Sequence, residues 1–382
     1  MTSNLEELPR ELQNYLYEFI PKKLKMINRK YYSLSKRIKL ISPCARMDEE
    51  TIKKLPLEKI YKLSIYKPDY TKKIIKRFET LKKIKMVHNK YITNKKLKML
   101  KHIDSLKLIN DYSITDSYFV NKENIINLSI VENKILTDII FRNLQNLQKL
   151  KINCSFDNSG NRGVDLSCLY KLEELELEDV LISNDGLNGL KNLKKLSLFN
   201  TFSVDEQINE LNQLVELDII EEKNITDNAL KNMKELKKIS LMHNTQITGE
   251  CLYYTPKLEN IDLYIFGDEE NNIMNNRPPN TKDLFKNMTN IKTITDRCGF
   301  LIEDDVQYIN RSLTKLFING HLNIKIENLT NIHHLSFNKI FIHPEWFNKL
   351  KNLKSLDFYY ITDLIIEDFF ELDPNIAINI YK

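Results

Sequence analysis

The stretch "LKNLKKLSLFN", residues 190–200, puts Leu at 190, 193, 196 and 198. Its closing L-x-L is a strand signal, because successive side chains of an extended chain point to opposite faces. Leu196 and Leu198 therefore share one face, toward a core, and Ser197 and its neighbours share the other. Slid along the chain, the L-x-x-L-x-x-L-x-L skeleton recurs as "LQNLQKLKIN" (144–153), "LYKLEELELED" (169–179) and "LNQLVELDII" (211–220). It returns in "MKELKKISLMHN" (233–244), "LTNIHHLSFN" (329–338) and "LKNLKSLDFYY" (350–360). Indexed by its penultimate apolar residue, the series runs Leu63, Ile84, Leu106, Leu128, Leu150, Leu175, Leu196, Leu217, Ile239, Ile261, Ile294, Leu316, Leu335 and Leu356. Thirteen steps cover 293 residues, and eleven of them lie between 19 and 22. Ile378 lies 22 residues beyond Leu356 and predicts a closing strand.

A fixed period of this size means stacked units, none of which can bury its apolar stripe alone. The spacing resembles the leucine-rich-repeat family, whose units run to about 20–29 residues. That resemblance implies an α/β solenoid of about 14 repeats, a horseshoe with a concave parallel sheet and convex helices. Helices are expected after the strands in "ITDNALKNM" (225–233), "ISNDGLNGL" (182–190) and "ILTDIIFRNL" (135–144). There Thr226, Ser183 and Thr137 are N-cap candidates, with an Asp in the first turn to suit the helix dipole. The pattern is not uniform. The Asn that usually follows the strand stands at 89, 133 and 244 but is missing from most copies, so other polar groups must complete its ladder. Asp296 occupies a strand position that should be apolar. The step from Ile261 to Ile294 is 33 residues, and its excess falls in "GDEENNIMNNRPPN", 267–280, read as an inserted surface loop.

Residues 1–45 precede the repeats of 46–382. "LEELPRELQNYLYEFIPKKL", 5–24, sets Leu8, Leu12, Leu16, Phe19 and Ile20 at helical spacing, with Pro9 where a missing N–H costs nothing. Leu8, Pro9, Glu11, Leu12, Leu16, Ile20, Pro21, Leu24, Tyr31 or Tyr32, and Leu34 together resemble the F-box. The stretch from Leu24 to Tyr31 is about one helical turn shorter than in that module, and its usual ending is reduced to "NRKYY". The phrase I-T-D-x-x-L is likewise similar to the repeats of F-box leucine-rich-repeat proteins. The resemblance implies a substrate receptor of a cullin-RING ubiquitin ligase. Leu8, Pro9, Leu12, Leu16, Phe19, Ile20, Leu24 and Tyr31 would hold a Skp-type adaptor, and cullin would join through it. The plainer alternative is a cap on a ubiquitin-independent interaction scaffold.

Composition narrows the classes further. Of 382 residues, 42% are hydrophobic and 29% charged, which suits a soluble folded chain. Eight Gly are few for an enzyme of this length, since phosphate loops and strained catalytic turns draw on Gly. No apolar run approaches the roughly 18 residues of a membrane span, and no secretory signal is visible. Five scattered Cys without C-x-x-C spacing read as reduced residues of a cytoplasmic protein. The joint abundance of Ile, Lys and Asn suggests an AT-rich genome, such as that of a giant DNA virus. No Walker loop, dinucleotide fingerprint, nucleophile elbow or H-E-x-x-H occurs, so no catalytic residue, metal or cofactor is expected. His333 and His334 are adjacent on a strand and so face opposite sides.

Charge is uneven. Residues 21–110 hold 27 Lys or Arg against 7 Asp or Glu. This basic stretch reads as a solvated lysine coat rather than a nucleic-acid site. The candidate target-binding positions are the outward strand residues of the expected concave face. They run from basic (Lys83, Lys85, Lys107) through acidic (Glu174, Glu176, Glu178) to apolar and aromatic (Phe199, Met242, Tyr264, Phe317, Tyr359). Aromatics beside charges suit protein recognition. The partner would be an unknown target protein, with the chain monomeric outside its complex.

Overall fold

In the computed structural model the described residues are 38–41, 60–66, 78–153, 163–244, 246–264, 284–319, 324–338, 344–360 and 373–381. The adaptor-binding candidates, Leu8 to Tyr31, and the 267–280 insertion lie outside them. The chain divides into two compact units, 1–159 and 160–382. The 25-residue spacing from Leu150 to Leu175 spans that division.

The first unit contains β1 (Ile38–Ile41), β2 (Ile60–Tyr66), β3 (Lys83–Val87), β4 (Ser105–Ile109), β5 (Asn127–Val131) and β6 (Lys149–Asn153), each parallel to the next. Strand β1 falls within 1–45, the segment read as F-box-like, and pairs with the first strand of the indexed series. Ile84, Leu106, Leu128 and Leu150 sit side by side in register, so the sequence period is the sheet register. A second inward row, Met86, Leu108, Ile130 and Ile152, is fully buried. Burying one such side chain stabilises by roughly 1.5–3 kcal/mol, and stacking repeats is what makes that burial available.

The second unit contains β7 (Glu174–Glu178), β8 (Lys195–Phe199), β9 (Glu216–Ile220), β10 (Lys238–Met242) and β11 (Asn260–Tyr264). It continues with β12 (Thr293–Asp296), β13 (Lys315–Asn319), β14 (His334–Asn338), β15 (Ser355–Tyr359) and β16 (Ala377–Tyr381). All pair in parallel and in sequence order. The 33-residue step leaves the ladder intact, because Ile261 still pairs with Ile294. The expected closing strand is β16, with Ile378 opposite Leu356.

The return segments depart from the expected helices. Three short α-helices occur among the described residues: α1 (Asn94–Leu97), α2 (Asp205–Asn209) and α3 (Glu303–Ile309). Elsewhere short 3-10 segments serve, as at Asp138–Asn143 and Asp227–Leu230, and 182–190 holds turns after an isolated bridge from Ile182 to Val164. A 22-residue unit must retrace a five-residue strand with few residues. The 3-10 rise of about 2.0 Å per residue covers more length than the 1.5 Å of an α-helix. Thr226 caps its turn by accepting from the Asn228 N–H at 3.2 Å. Thr137 and Ser183 do not cap: Thr137 donates to the Asp116 carboxylate, and Ser183 to the Val164 carbonyl.

Three polar ladders link successive repeats. On the return side, the Thr N–H and hydroxyl both donate to an Asp one repeat earlier. Thr137 does so to Asp116 at 2.9 and 2.7 Å, Thr226 to Asp205, and Thr248 to Asp227 at 2.9 and 2.9 Å. Before the strands, side-chain amides donate one repeat back. Asn192 reaches the Tyr170 carbonyl, Gln213 the Leu190 carbonyl, and Asn352 the Thr330 carbonyl.

The third ladder follows the strands and answers the missing Asn residues. The Asn89 side chain accepts from Tyr91 and Ile92 N–H and donates to Asp111, which accepts from Ser113 and Ile114. Asn133 then donates to the Asp111 carbonyl. In the second unit, buried Glu222 accepts from the Thr201 N–H and hydroxyl and the Ser203 N–H, while its own N–H donates to Asn244. Asp296, anomalous as a strand residue, is 2% exposed and accepts from the N–H groups of Cys298, Phe300 and Leu301. Asp111 and Glu222 thus stand in for Asn as acceptors of turn amides, and Asp296 accepts them from within β12.

Candidate recognition surface

Among the described residues, the one that follows a strand bends left-handed in eight places. His88, Asn110, Glu132, Asp179, Asn200, Glu221, His243 and Tyr360 all have φ between 49 and 56°. Asn, Asp and His tolerate this region best, although Glu and Tyr occur here too. Each N–H still donates to the last carbonyl of the next strand, as His243 does to Tyr264 at 2.8 Å. Where it occurs, this bend ends neighbouring strands at the same level, and their outward side chains stand in register.

In the first unit the middle outward position carries Lys85, Lys107, Ser129 and Lys151, and the last carries Val87, Ile109 and Val131. Lys83 opens β3. All the basic candidates therefore lie on the solvent side of the sheet, beside aliphatic residues.

The second unit repeats this geometry with other chemistry. Its middle column runs Glu176, Ser197, Asp218, Ser240 and Asp262, an acid on every second strand. The last column places Phe199, Ile220, Met242 and Tyr264 on four adjacent strands in register, each half-buried. Glu174 and Glu178 flank Glu176 on β7. His243 packs edge-on against Tyr264, with ring centroids 4.6 Å apart. Farther along, Phe317 meets Tyr359 at 5.9 Å, Tyr359 stacks on Tyr381 at 4.5 Å, and the Arg297 guanidinium lies 5.2 Å from the Phe317 ring centre.

The electrostatics follow from this crowding. Burial raises the Asp218 carboxyl above the usual carboxylate range; Glu216, Asp262 and Glu176 add to the rise and Lys238 opposes it. The hydrogen bond to Glu216 raises the Lys195 ammonium, with the two groups 2.8 Å apart. Burial lowers His334, with Lys315 and His333 adding to the effect, and its Nδ1 lies 2.7 Å from the Ser355 hydroxyl. The two adjacent His rings lie 6.4 Å apart. Among the described residues, no three His, Cys, Asp or Glu side chains are placed to hold a metal ion. Nor is any helix among them long and apolar enough to cross a membrane.

The structure thus brings the expected target-binding residues onto one kind of surface within each unit: Lys83, Lys85 and Lys107 in the first, and Glu174, Glu176, Glu178, Phe199, Met242, Tyr264, Phe317 and Tyr359 in the second. Sequence reading missed Asp262, which completes the acid row, and Arg297. Asp262 was within reach, since it lies two residues before Tyr264 at the same outward parity.

No family model matches the chain, and no curated protein matches it. Among solved structures, an internalin (InlF) of Listeria monocytogenes is similar at 19% identity and TM-score 0.52, over 80% of this chain and 88% of its own. The Drosophila Toll–Spätzle complex aligns at 13% identity and TM-score 0.56, over 90% of this chain and 54% of that one. A TLR13–ssRNA13 complex aligns at 17% and 0.51, over 85% of this chain and 50% of that one. The chain thus spans about half the length of the latter two. All three are leucine-rich-repeat proteins, and the likeness establishes a leucine-rich-repeat fold.

Proposed function

We propose that this chain is a non-enzymatic recognition subunit that takes a target protein on the solvent face of its sheet and presents it to a cullin-RING ubiquitin ligase. One observation carries the recognition half: Phe199, Ile220, Met242 and Tyr264 stand in register beside the acid row of Glu176, Asp218 and Asp262. Half-exposed aromatic and Met side chains bordered by charge have the composition of protein-binding surfaces. Of the neighbouring folds, one is in complex with Spätzle and one with an ssRNA. The acid row favours a protein, because carboxylates repel a phosphate backbone.

The ligase half rests on the F-box-like residues Leu8, Pro9, Leu12, Leu16, Phe19, Ile20, Leu24 and Tyr31. They would hold a Skp-type adaptor, and the work of the chain would be to raise the effective concentration of a target beside a charged conjugating enzyme. The Ile-, Lys- and Asn-rich composition supports a viral source, in which the receptor would redirect a host ligase in the cytoplasm. The test is co-purification with a Skp-type adaptor and cullin, comparing wild type with the double variant Leu8→Asp, Leu12→Asp. Capture by wild type and its loss in the variant, with an unchanged thermal melt, is the expected result. A folded wild-type chain that captures no adaptor leaves the ubiquitin-independent scaffold in its place.

A further inference from the structure

We propose that the outer edge of β16 pairs antiparallel with β16 of a second copy of this chain, joining two molecules at a two-fold axis through Asn379. Strand β16 bonds β15 on one side, and no strand among the described residues pairs with its other side. Its inward residues lack the cover that their counterparts have. Ile378 and Ile380 stand opposite Leu356 and Phe358, which are fully buried, yet they remain 38% and 39% exposed. All five residues of the strand, Ala377–Tyr381, are exposed, and none is charged. By contrast β1, the first strand of the chain, carries Lys39 and a register shift between Ile38 and Lys39. A lysine and an irregular register are devices that discourage edge pairing, and β16 has neither. A bare apolar edge of this kind is a template for another strand.

The backbone says which strand fits. In a parallel pair, alternate residues direct both their N–H and their C=O to the same neighbour. The Ala377 N–H donates to the Lys354 carbonyl at 2.9 Å, and the Tyr381 carbonyl accepts from the Tyr360 N–H at 3.0 Å. Residues 377, 379 and 381 therefore face β15, which leaves the N–H and C=O of Ile378 and Ile380 directed at the open edge. A second β16, run antiparallel with the two Asn379 residues opposite each other, sets Ile378 of each copy against Ile380 of the other. Each such pair exchanges two hydrogen bonds, and all four Ile side chains fall on the core side of the sheet. Parallel pairing of the same two edges would turn one copy's apolar face outward. The antiparallel register is thus self-complementary, as an isologous dimer requires. It sets the solvent faces of the two β16 strands on the same side of the joined sheet, so that one target with two matching segments gains avidity. The sequence alone suggests a monomer. The pairing uses neither the recognition rows nor the F-box-like residues, so it stands or falls apart from the proposed function.

The experiment is sedimentation velocity of the full chain over a range of concentrations, beside oxidative cross-linking of single cysteine substitutions. Wild type, with its own cysteines, is the cross-linking control. Asn379→Cys places two thiols at the axis, where opposed Cα atoms are about 4.5 Å apart, within the span of a disulfide. Ala377→Cys places them about 14 Å apart, beyond that span. Ile380→Pro removes a donor that the pairing needs and β15 does not use. Ile378→Lys with Ile380→Lys charges the edge while keeping every backbone donor. Circular dichroism melts report whether each variant stays folded, and the cross-linking pair reads the register even where an edge variant melts early. The expected result is a reversible dimer that Asn379→Cys locks by a disulfide and Ala377→Cys does not. Both edge variants should weaken it by roughly tenfold or more. A monomer at every concentration overturns the proposal. So does a dimer that a folded edge variant retains at full strength, or one that fails to cross-link through Asn379→Cys in preference to Ala377→Cys.

Discussion

The two units carry opposite surfaces on one backbone. Outward from the first come Lys83, Lys85, Lys107 and Lys151 beside Val87, Ile109 and Val131; outward from the second come Glu176, Asp218 and Asp262 beside Phe199, Met242 and Tyr264. Inward, the units are interchangeable: Ile130 and Ile219 occupy the same repeat position and are both fully buried. The inner positions answer to stacking and the outer ones to whatever meets the sheet, so recognition chemistry can change without touching the fold. The strongest way to break this comparison is in the core. Ile130→Ala and Ile219→Ala should each cost about 2–5 kcal/mol. Hydrogen exchange should rise first in the altered strand and its immediate neighbours, since each repeat leans on the next. A large cost in one unit and none in the other would show that the inner positions are not equivalent.

The return side offers a smaller test of the same equivalence. Thr137 in the first unit and Thr226 in the second each make two hydrogen bonds to an Asp one repeat earlier. Thr→Val at either position keeps the shape and the backbone donor but removes the hydroxyl. A loss of about 1 kcal/mol is expected at both sites, read from chemical denaturation. Because Thr226 also accepts from the Asn228 N–H, its loss should be the larger of the two.

These residues also mark where the sequence was legible. The inward rows could be read directly, because an L-x-L pair at a 22-residue period fixes both face and register, and the 33-residue step declared itself as an insertion that the ladder could bypass. The Thr–Asp links could not, because Thr and Asp adjacent in "ITD" look like one helix cap, whereas the bond joins the Asp of one repeat to the Thr of the next. The same limit hid Asp111 and Glu222: acids are seldom fully buried, so composition argued against them as core residues. What rescues them is a set of turn N–H donors that no local pattern announces. The outward columns were legible as positions, yet the acid row emerged only when Asp262 was aligned across β9, β10 and β11.

Buried acids give the next smaller test. Burial holds the Asp111 and Glu222 carboxyls above their usual range, against the pull of the hydrogen bonds they accept. A carboxyl with a folded-state value above its unfolded one costs stability while both states are ionised. That cost fades as pH falls through the raised folded value and vanishes below the ordinary carboxylate value near 4. Asp111→Asn preserves the acceptor for Ser113 and Ile114 but replaces the oxygen that accepts from Asn89 with a second donor, so that one hydrogen bond is lost. Its stability relative to wild type should therefore be highest at pH 7, where the wild-type carboxylate carries its burial cost, and fall on acidification, to a loss of about 1 kcal/mol once that carboxyl is neutral. Glu222→Gln should behave alike, and melts from pH 7 to pH 3.5 check both. An advantage that grows as pH falls would mean the carboxylates are net stabilising.

The weakest expected effect on stability belongs to the surface, and there the two units should part company. The Lys195–Glu216 pair, 2.8 Å apart, holds a lysine side chain that is 48% exposed. Exposed pairs contribute about 0.2–1 kcal/mol and less at high salt. Lys195→Gln should accordingly lower the melting temperature by no more than about 4 °C, as should Lys107→Gln in the first unit. Binding separates them. Removing Lys195 leaves Glu216 without its cation and deepens the negative potential of the second unit's face, so a basic peptide should bind it more tightly at low salt. Removing Lys107 changes the first unit's strands and should leave that affinity where it was. Equal responses from the two variants would mean that peptide capture follows net charge alone, and the register of the acid and apolar rows would then have no part in it.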